Sequence, residues 1–235
     1  MTDNITAVVL CGGQGTRLKS VVGDLPKCLA PIAGKPFLCY LLGQLHRQGV
    51  CRAILCTGHG ADQVEGYFGS DYLAPSYFGS SDSTGMLLYF PRETEPLGTG
   101  GAVLNALPLL DSDPFLVLNG DTLCRFNLGN LLKLYDENRA MYVGLSGIDV
   151  AKKEPAWTNT GVRLMSRAAI GIASHGATRD CKVFSLDGLF PAALAKNACY
   201  ALWDSARFLD IGTPESYALA EKFLKEEWLT ERGNG

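Results

Sequence analysis

Ile5-Thr6-Ala7-Val8-Val9-Leu10 runs directly into Cys11-Gly12-Gly13-Gln14-Gly15-Thr16-Arg17-Leu18. A short run this apolar, ending at glycine, reads as a buried strand. Glycines at 12, 13 and 15 strip side chains from the loop that follows. Its backbone can then approach a ligand closely and turn N–H groups toward phosphate oxygens. Loops at the carboxyl ends of strands are where open α/β sheets bind their ligands. Two common signatures of that kind do not match. A P-loop requires Gly-Lys-Ser/Thr, whereas Gly15 is followed by Thr16 and Arg17; the dinucleotide fingerprint requires a third glycine where Leu18 stands.

Downstream, helix and strand signals alternate. Pro36 to Gln48 carries Phe37, Leu38, Leu41, Leu42 and Leu45 at helical spacing, with Gly49 as a stop. Strands are expected at 52–56, 86–90 and 115–118, and helices at 61–68 and 99–107. After Asp121 the pattern loosens: a helix over 128–138, strands over 141–145 and 161–165, and irregular chain over 146–159. A terminal helix spans Pro214 to Glu227, with Thr213 as its N-cap and proline in the first turn. Alternation with short links predicts an α/β fold, a mostly parallel central sheet flanked by helices. No repeat or linker divides the 235 residues, so one unit is expected over 1–235.

Composition removes several function classes. With 47% hydrophobic residues and 19% charged, the chain can bury a core. A net charge of −3 argues against nucleic acid as a partner. No run of about 20 apolar residues predicts a membrane span, and no secretory signal precedes Ile5. The eight cysteines include no Cys-x-x-Cys pair and the three histidines are far apart, so neither a zinc site nor a disulfide framework is favoured. A reduced, cytoplasmic protein is expected.

Three further segments carry chemistry. Leu25-Pro26-Lys27 puts a lysine behind a proline that restricts its approach; with Arg17 it offers two cations beside the glycine loop. Asn119-Gly120-Asp121 ends an apolar strand, and reads either as a turn or as a hard-metal ligand at the sheet edge. Phe208-Leu209-Asp210-Ile211-Gly212 places a second aspartate just before a helix. Two carboxylates about 4 Å apart repel by roughly 4 kcal/mol at an effective dielectric near 20. A bound Mg²⁺ would remove that cost.

Together these segments, with Gly34-Lys35-Pro36-Phe37, Glu95-Pro96-Leu97-Gly98-Thr99-Gly100-Gly101-Ala102 and Asp210-Ile211-Gly212-Thr213-Pro214-Glu215, resemble the sugar-1-phosphate nucleotidyltransferases. The likeness is dense over 5–130, returns over 184–222 and is thin between. It implies a Rossmann-like fold with a nucleotide-binding part (5–130) and a sugar-phosphate-binding part ending in the terminal helix (131–235). The implied reaction joins a nucleoside triphosphate and a sugar 1-phosphate with release of pyrophosphate. By motif position, Arg17 and Lys27 would neutralise phosphates, and Asp121 and Asp210 would coordinate Mg²⁺. Leu10, Gly12, Gly13, Gly15, Thr16, Glu93, Gly98 and Thr99 would surround the nucleotide. The segment around Glu93 resembles the guanylyltransferase side of the family, so GTP is expected. The short bacterial branch it most resembles implies a manno-configured heptose 1-phosphate, used in surface polysaccharide. A homodimer is the expected assembly.

Two departures from the family pattern bear on the site. Cys11 replaces the usual alanine and is expected to sensitise the loop to alkylation. The stretch from Asp121 to Asn159 is short, and leaves Gly120, Lys152, Lys153, Asn159 and Asp187 as the sugar-phosphate candidates; a solvated charge cluster is the competing reading of Lys152 and Lys153. That shortening also motivates a second hypothesis, a relative that binds nucleotide without turnover.

Overall fold

The apolar residues of the first strand pack on both faces of the sheet. Strand β1 (Thr6–Leu10) pairs in parallel with β4 (Arg52–Cys56) on one side and β7 (Phe115–Asn119) on the other. Because side chains alternate along a strand, Ala7, Val9, Ala53, Leu55, Leu116 and Leu118 enter one core. Val8, Ile54, Cys56, Phe115 and Val117 enter the opposite one. This two-sided burial is why the strands read as unbroken apolar runs.

The computed structural model describes residues 5–69, 71–72, 85–152, 157–174, 183–188 and 199–227. Its main sheet continues outward through β6 (Met86–Tyr89) and the short β5 (Asp71–Tyr72). On the other side it continues through β10 (Trp157–Met165), β9 (Tyr142–Asp149), β11 (Cys199–Asp210) and β8 (Thr122–Cys124). From β6 to β7 all pairings are parallel; beyond β7 they are antiparallel, apart from β9 with β11. A small hairpin, β2 (Pro31–Ile32) and β3 (Lys35–Pro36), stands apart.

Helices cover both faces. On the first lie α2 (Phe37–Arg47), α3 (Ala61–Phe68), α5 (Leu128–Glu137) and the terminal α7 (Pro214–Glu227), through Leu41, Val64, Leu131 and Phe223 among others. On the second lie α4 (Gly98–Ala106) and α6 (Arg167–Ser174), through Val103 and Ile170. A one-turn α1 (Lys19–Val22) follows the glycine loop. Thr213 caps α7 as expected, its Oγ1 accepting the Ser216 N–H at 3.2 Å. Among the described residues no helix is long and apolar enough to cross a membrane.

Several elements differ from the expectation. Within the stretch expected to be irregular, residues 146–149 and 157–159 are strand: β9 runs on to Asp149 and β10 starts at Trp157. The added portions carry polar cleft-facing residues, Ser146 and Asn159, so the apolar alternation that signals a strand does not extend into them. Helix α6, at eight residues, is too short for its amphipathic spacing to stand out in the sequence, and it is not among the expected helices. Strand β11 is broken in register between Trp203 and Arg207, and only its last apolar residues are legible.

Candidate active site

Strand order fixes where the first cleft lies. From β1 the chain moves to β4 and β6, then returns to place β7 on the other side of β1. That reversal parts the loops after β1 and β7, the position where open α/β sheets bind ligands. A cleft of about 390 Å³ opens there, lined by Leu10, Gly12, Gly13 and Gln14 after β1, Asn119 and Asp121 after β7, and Glu93, Pro96, Gly98, Thr99 and Ala102. Thr16 opens an exposed helical turn beside it. Gly15 lets the loop fold against Lys27, since a Cβ there would lie 2.9 Å from Lys27 Cγ.

The two aspartates meet. Asp121 follows β7 in the tight turn into β8, and Asp210 ends β11, whose register sets it opposite Thr122. The Ile211 N–H donates to the Asp121 carbonyl at 3.0 Å. Lys27 Nζ lies 2.7 Å from Asp121 Oδ2. A methyl group at Gly212 would be 2.7 Å from Asp210 Oδ1, 3.2 Å from Arg17 Nη2 and 3.4 Å from Lys27 Nζ. Two carboxylates and two cations therefore share one edge of the sheet. Burial pushes the Asp210 carboxyl above its ordinary range and Asp121 adds to the shift, against the Gly212 N–H, Lys27 and Arg17. The turn reading of Asn119-Gly120-Asp121 holds: Gly120 donates its N–H to the Leu10 carbonyl at 3.0 Å, locking the turn onto the end of β1, while Asp121 lines the cleft.

Glu93 faces the glycine loop, 3.3 Å from where a Gly12 Cβ would stand. Its carboxyl is raised from the ordinary glutamate value by burial, opposed by the Leu97 N–H that donates to Oε2 at 3.2 Å.

A second cleft of about 320 Å³ lies on the same face of the sheet, lined by Tyr142, Gly144, Leu145, Ser146, Asn159, Leu186, Asp187 and Ala201. Segment 184–187 joins the two clefts. The Phe184 carbonyl accepts from Gly100 N at 2.9 Å, and Leu186 N donates to Thr99 Oγ1 at 2.8 Å. Asn159 and Asp187 thus come together as expected. Gly120 is buried beneath the first cleft and does not line the second. Lys152 is exposed and pairs with Asp149 at 3.6 Å, the solvated reading of that charge; Lys153 lies outside the described residues.

Cys11 corrects an expectation. It is buried, and its thiol is pushed well above the ordinary value, first by a hydrogen bond with Cys28 and then by burial. A thiol so rarely ionised is a poor target for alkylation. Sequence reading also missed Asn119 and Arg163. Asn119 looked like half of an Asn-Gly turn, and Arg163 sat in a strand assigned only from its apolar neighbours.

The class defined by this cleft and this fold agrees with comparison to known proteins. The chain belongs to the nucleotidyl transferase family, whose model matches residues 6–161. It is 33% identical to the D-glycero-alpha-D-manno-heptose 1-phosphate guanylyltransferase of Aneurinibacillus thermoaerophilus, over 93% of this chain and 98% of that protein. It is 31% identical to the protein of the same description in Campylobacter jejuni, over 90% and 96%. Among solved structures, HddC from Yersinia pseudotuberculosis complexed with GMP-PN superposes with a TM-score of 0.72 at 29% identity, covering 94% of this chain and all of that one.

Proposed function

We propose that this protein is a guanylyltransferase that joins GTP to a manno-heptose 1-phosphate, forming a GDP-sugar and pyrophosphate. The observation that carries the reading is the meeting of Arg17, Lys27, Asp121 and Asp210 at the edge of a cleft floored by the glycine loop. The heptose 1-phosphate guanylyltransferases to which the chain is similar supply the substrates.

An oxygen of the sugar phosphate attacks the α-phosphorus; the new P–O bond forms as the bond to the β-phosphate oxygen breaks, and pyrophosphate leaves with the electron pair. The attacking oxygen is already anionic, so no side chain need remove a proton. What the reaction needs is alignment and charge neutralisation. Lys27 and Arg17 would hold triphosphate oxygens, and the glycine loop lets them come close to backbone N–H groups. Glu93 suits guanine, which presents two adjacent N–H donors to a carboxylate that accepts both. Thr99 and Gly98 would close over the base.

The donor set fits Mg²⁺. Asp121 and Asp210 give two hard oxygen ligands, and no cluster of three or more ligating residues occurs among the described residues. Mg²⁺ is commonly held by one or two carboxylates, with substrate phosphates and water completing its shell. When bound, it would supply neutralisation of the charge that develops at the α-phosphate.

The test is pyrophosphate release from GTP with manno-heptose 1-phosphate and with mannose 1-phosphate, with and without EDTA. Release that needs both substrates and stops with EDTA is expected. No release with any pairing of the common nucleotides and these acceptors would leave a nucleotide-binding relative without turnover as the better description.

A further inference from the structure

Between the two clefts lies a guanidinium that the reaction described above does not use. Arg163, on β10, is 7% exposed. Its Nη1 donates to Asn119 Oδ1 at 3.3 Å and to the Gly161 carbonyl at 3.2 Å. Its Nη2 stands 3.8 Å from Asp187 Oδ1. Asn119 lines the first cleft and Asp187 the second, so the arginine, set behind the lining of both, contacts a residue of each. Tyr142, also in the second cleft, is hydrogen-bonded to it.

Local backbone aims the side chain there. Strand β10 breaks register with β9 between Asn159, opposite Ser146, and Arg163, opposite Gly144. A bulge of this kind redirects the side chains beside it. At its centre Gly161 has φ of 79°, and a Cβ would lie 2.6 Å from Asn119 Nδ2. The bulge is thereby drawn against the end of β7.

The charge is poorly answered. A buried cation needs a close, hydrogen-bonded anion. Asp187 stands beyond hydrogen-bond length and is 83% exposed, so water competes for it. A buried fork-shaped donor suits a phosphate, which can accept two parallel N–H bonds.

We propose that Arg163 binds the phosphate of the sugar 1-phosphate at the seam of the two clefts, with Asp187 as the resting counter-ion that this phosphate displaces. The inference rests on the guanylyltransferase reading and assigns a residue to its acceptor half. Arg163 brings the attacking oxygen to the Asn119 side of the nucleotide cleft.

The experiment compares wild type, R163Q and R163K in steady-state assays with both substrates varied, using whichever of manno-heptose 1-phosphate and mannose 1-phosphate wild type turns over faster. R163Q should raise KM for the acceptor by about ten- to hundred-fold, the span of a lost charged hydrogen bond, with KM for GTP unchanged. R163K keeps charge without the fork and should fall between. At saturating GTP, inorganic phosphate should compete with the acceptor in wild type and lose that effect in R163Q. An unchanged acceptor KM, or an equal rise in both KM values as for a purely structural arginine, overturns the proposal. If R163Q does not fold, an R163K enzyme with wild-type acceptor KM overturns it. Wild type inactive with every pairing refutes the guanylyltransferase reading and this inference together; active wild type with indifferent variants refutes only the role of Arg163.

Discussion

Asp121 and Glu93 both line the first cleft, yet their surroundings set them apart. Asp121 is tied to Lys27 at 2.7 Å, and its asparagine variant keeps the shape but not the charge. Because both groups are partly hydrated, we expect Asp121→Asn to cost at most about 1–2 kcal/mol in stability. Its kcat should fall by about 100-fold or more; wild-type turnover in this variant would remove Asp121 from the reaction. Glu93 has a raised carboxyl because burial disfavours its charge. If guanine needs the carboxylate form, acid protonates Glu93 sooner than an ordinary glutamate. KM for GTP should then rise as pH falls through that raised value, with uptake of GTP releasing protons there. Glu93→Gln should have a weaker GTP affinity, by about ten-fold, that no longer varies with pH over this range. Titration calorimetry in two buffers of different ionisation enthalpy checks both statements.

At the scale of elements, the start of α4 shows how helix and loop cooperate. Gly98 has φ of 70°, and a Cβ there would lie 2.7 Å from the Phe184 carbonyl oxygen. Gly98→Ala is therefore expected to lose about 1–3 kcal/mol in urea unfolding. Because segment 184–187 rests on this turn and carries Asp187 to the second cleft, the same change should raise the acceptor KM. An alanine variant of full stability would mean that the turn is free to relax. In the sequence, this glycine is part of a nucleotide motif; its second task, seating a segment some eighty residues on, is set by packing. Strands β9 and β10 show the converse: only 141–145 and 161–165 are legible in the sequence, and the rest, including Ser146 and Asn159, is polar where it lines a cavity.

Across the whole molecule, ligand binding should register as stability. GTP with Mg²⁺ at 100 times its Kd should add about 2.7 kcal/mol, or roughly 5–10 °C at this chain length. A larger shift with UTP, CTP, ATP or dTTP than with GTP would overturn the base assignment. The sequence by itself determined the apolar strands, the glycine loop at the end of β1 and the chemical character of Arg17, Lys27, Asp121 and Asp210, because these are local properties of residue type and spacing. Only the tertiary structure decided that Asp210 stands beside Asp121, that Cys11 is sealed against Cys28, and that Arg163 lies between two clefts. Those are matters of strand order and register, which bring distant residues together through non-local pairing that no local pattern encodes.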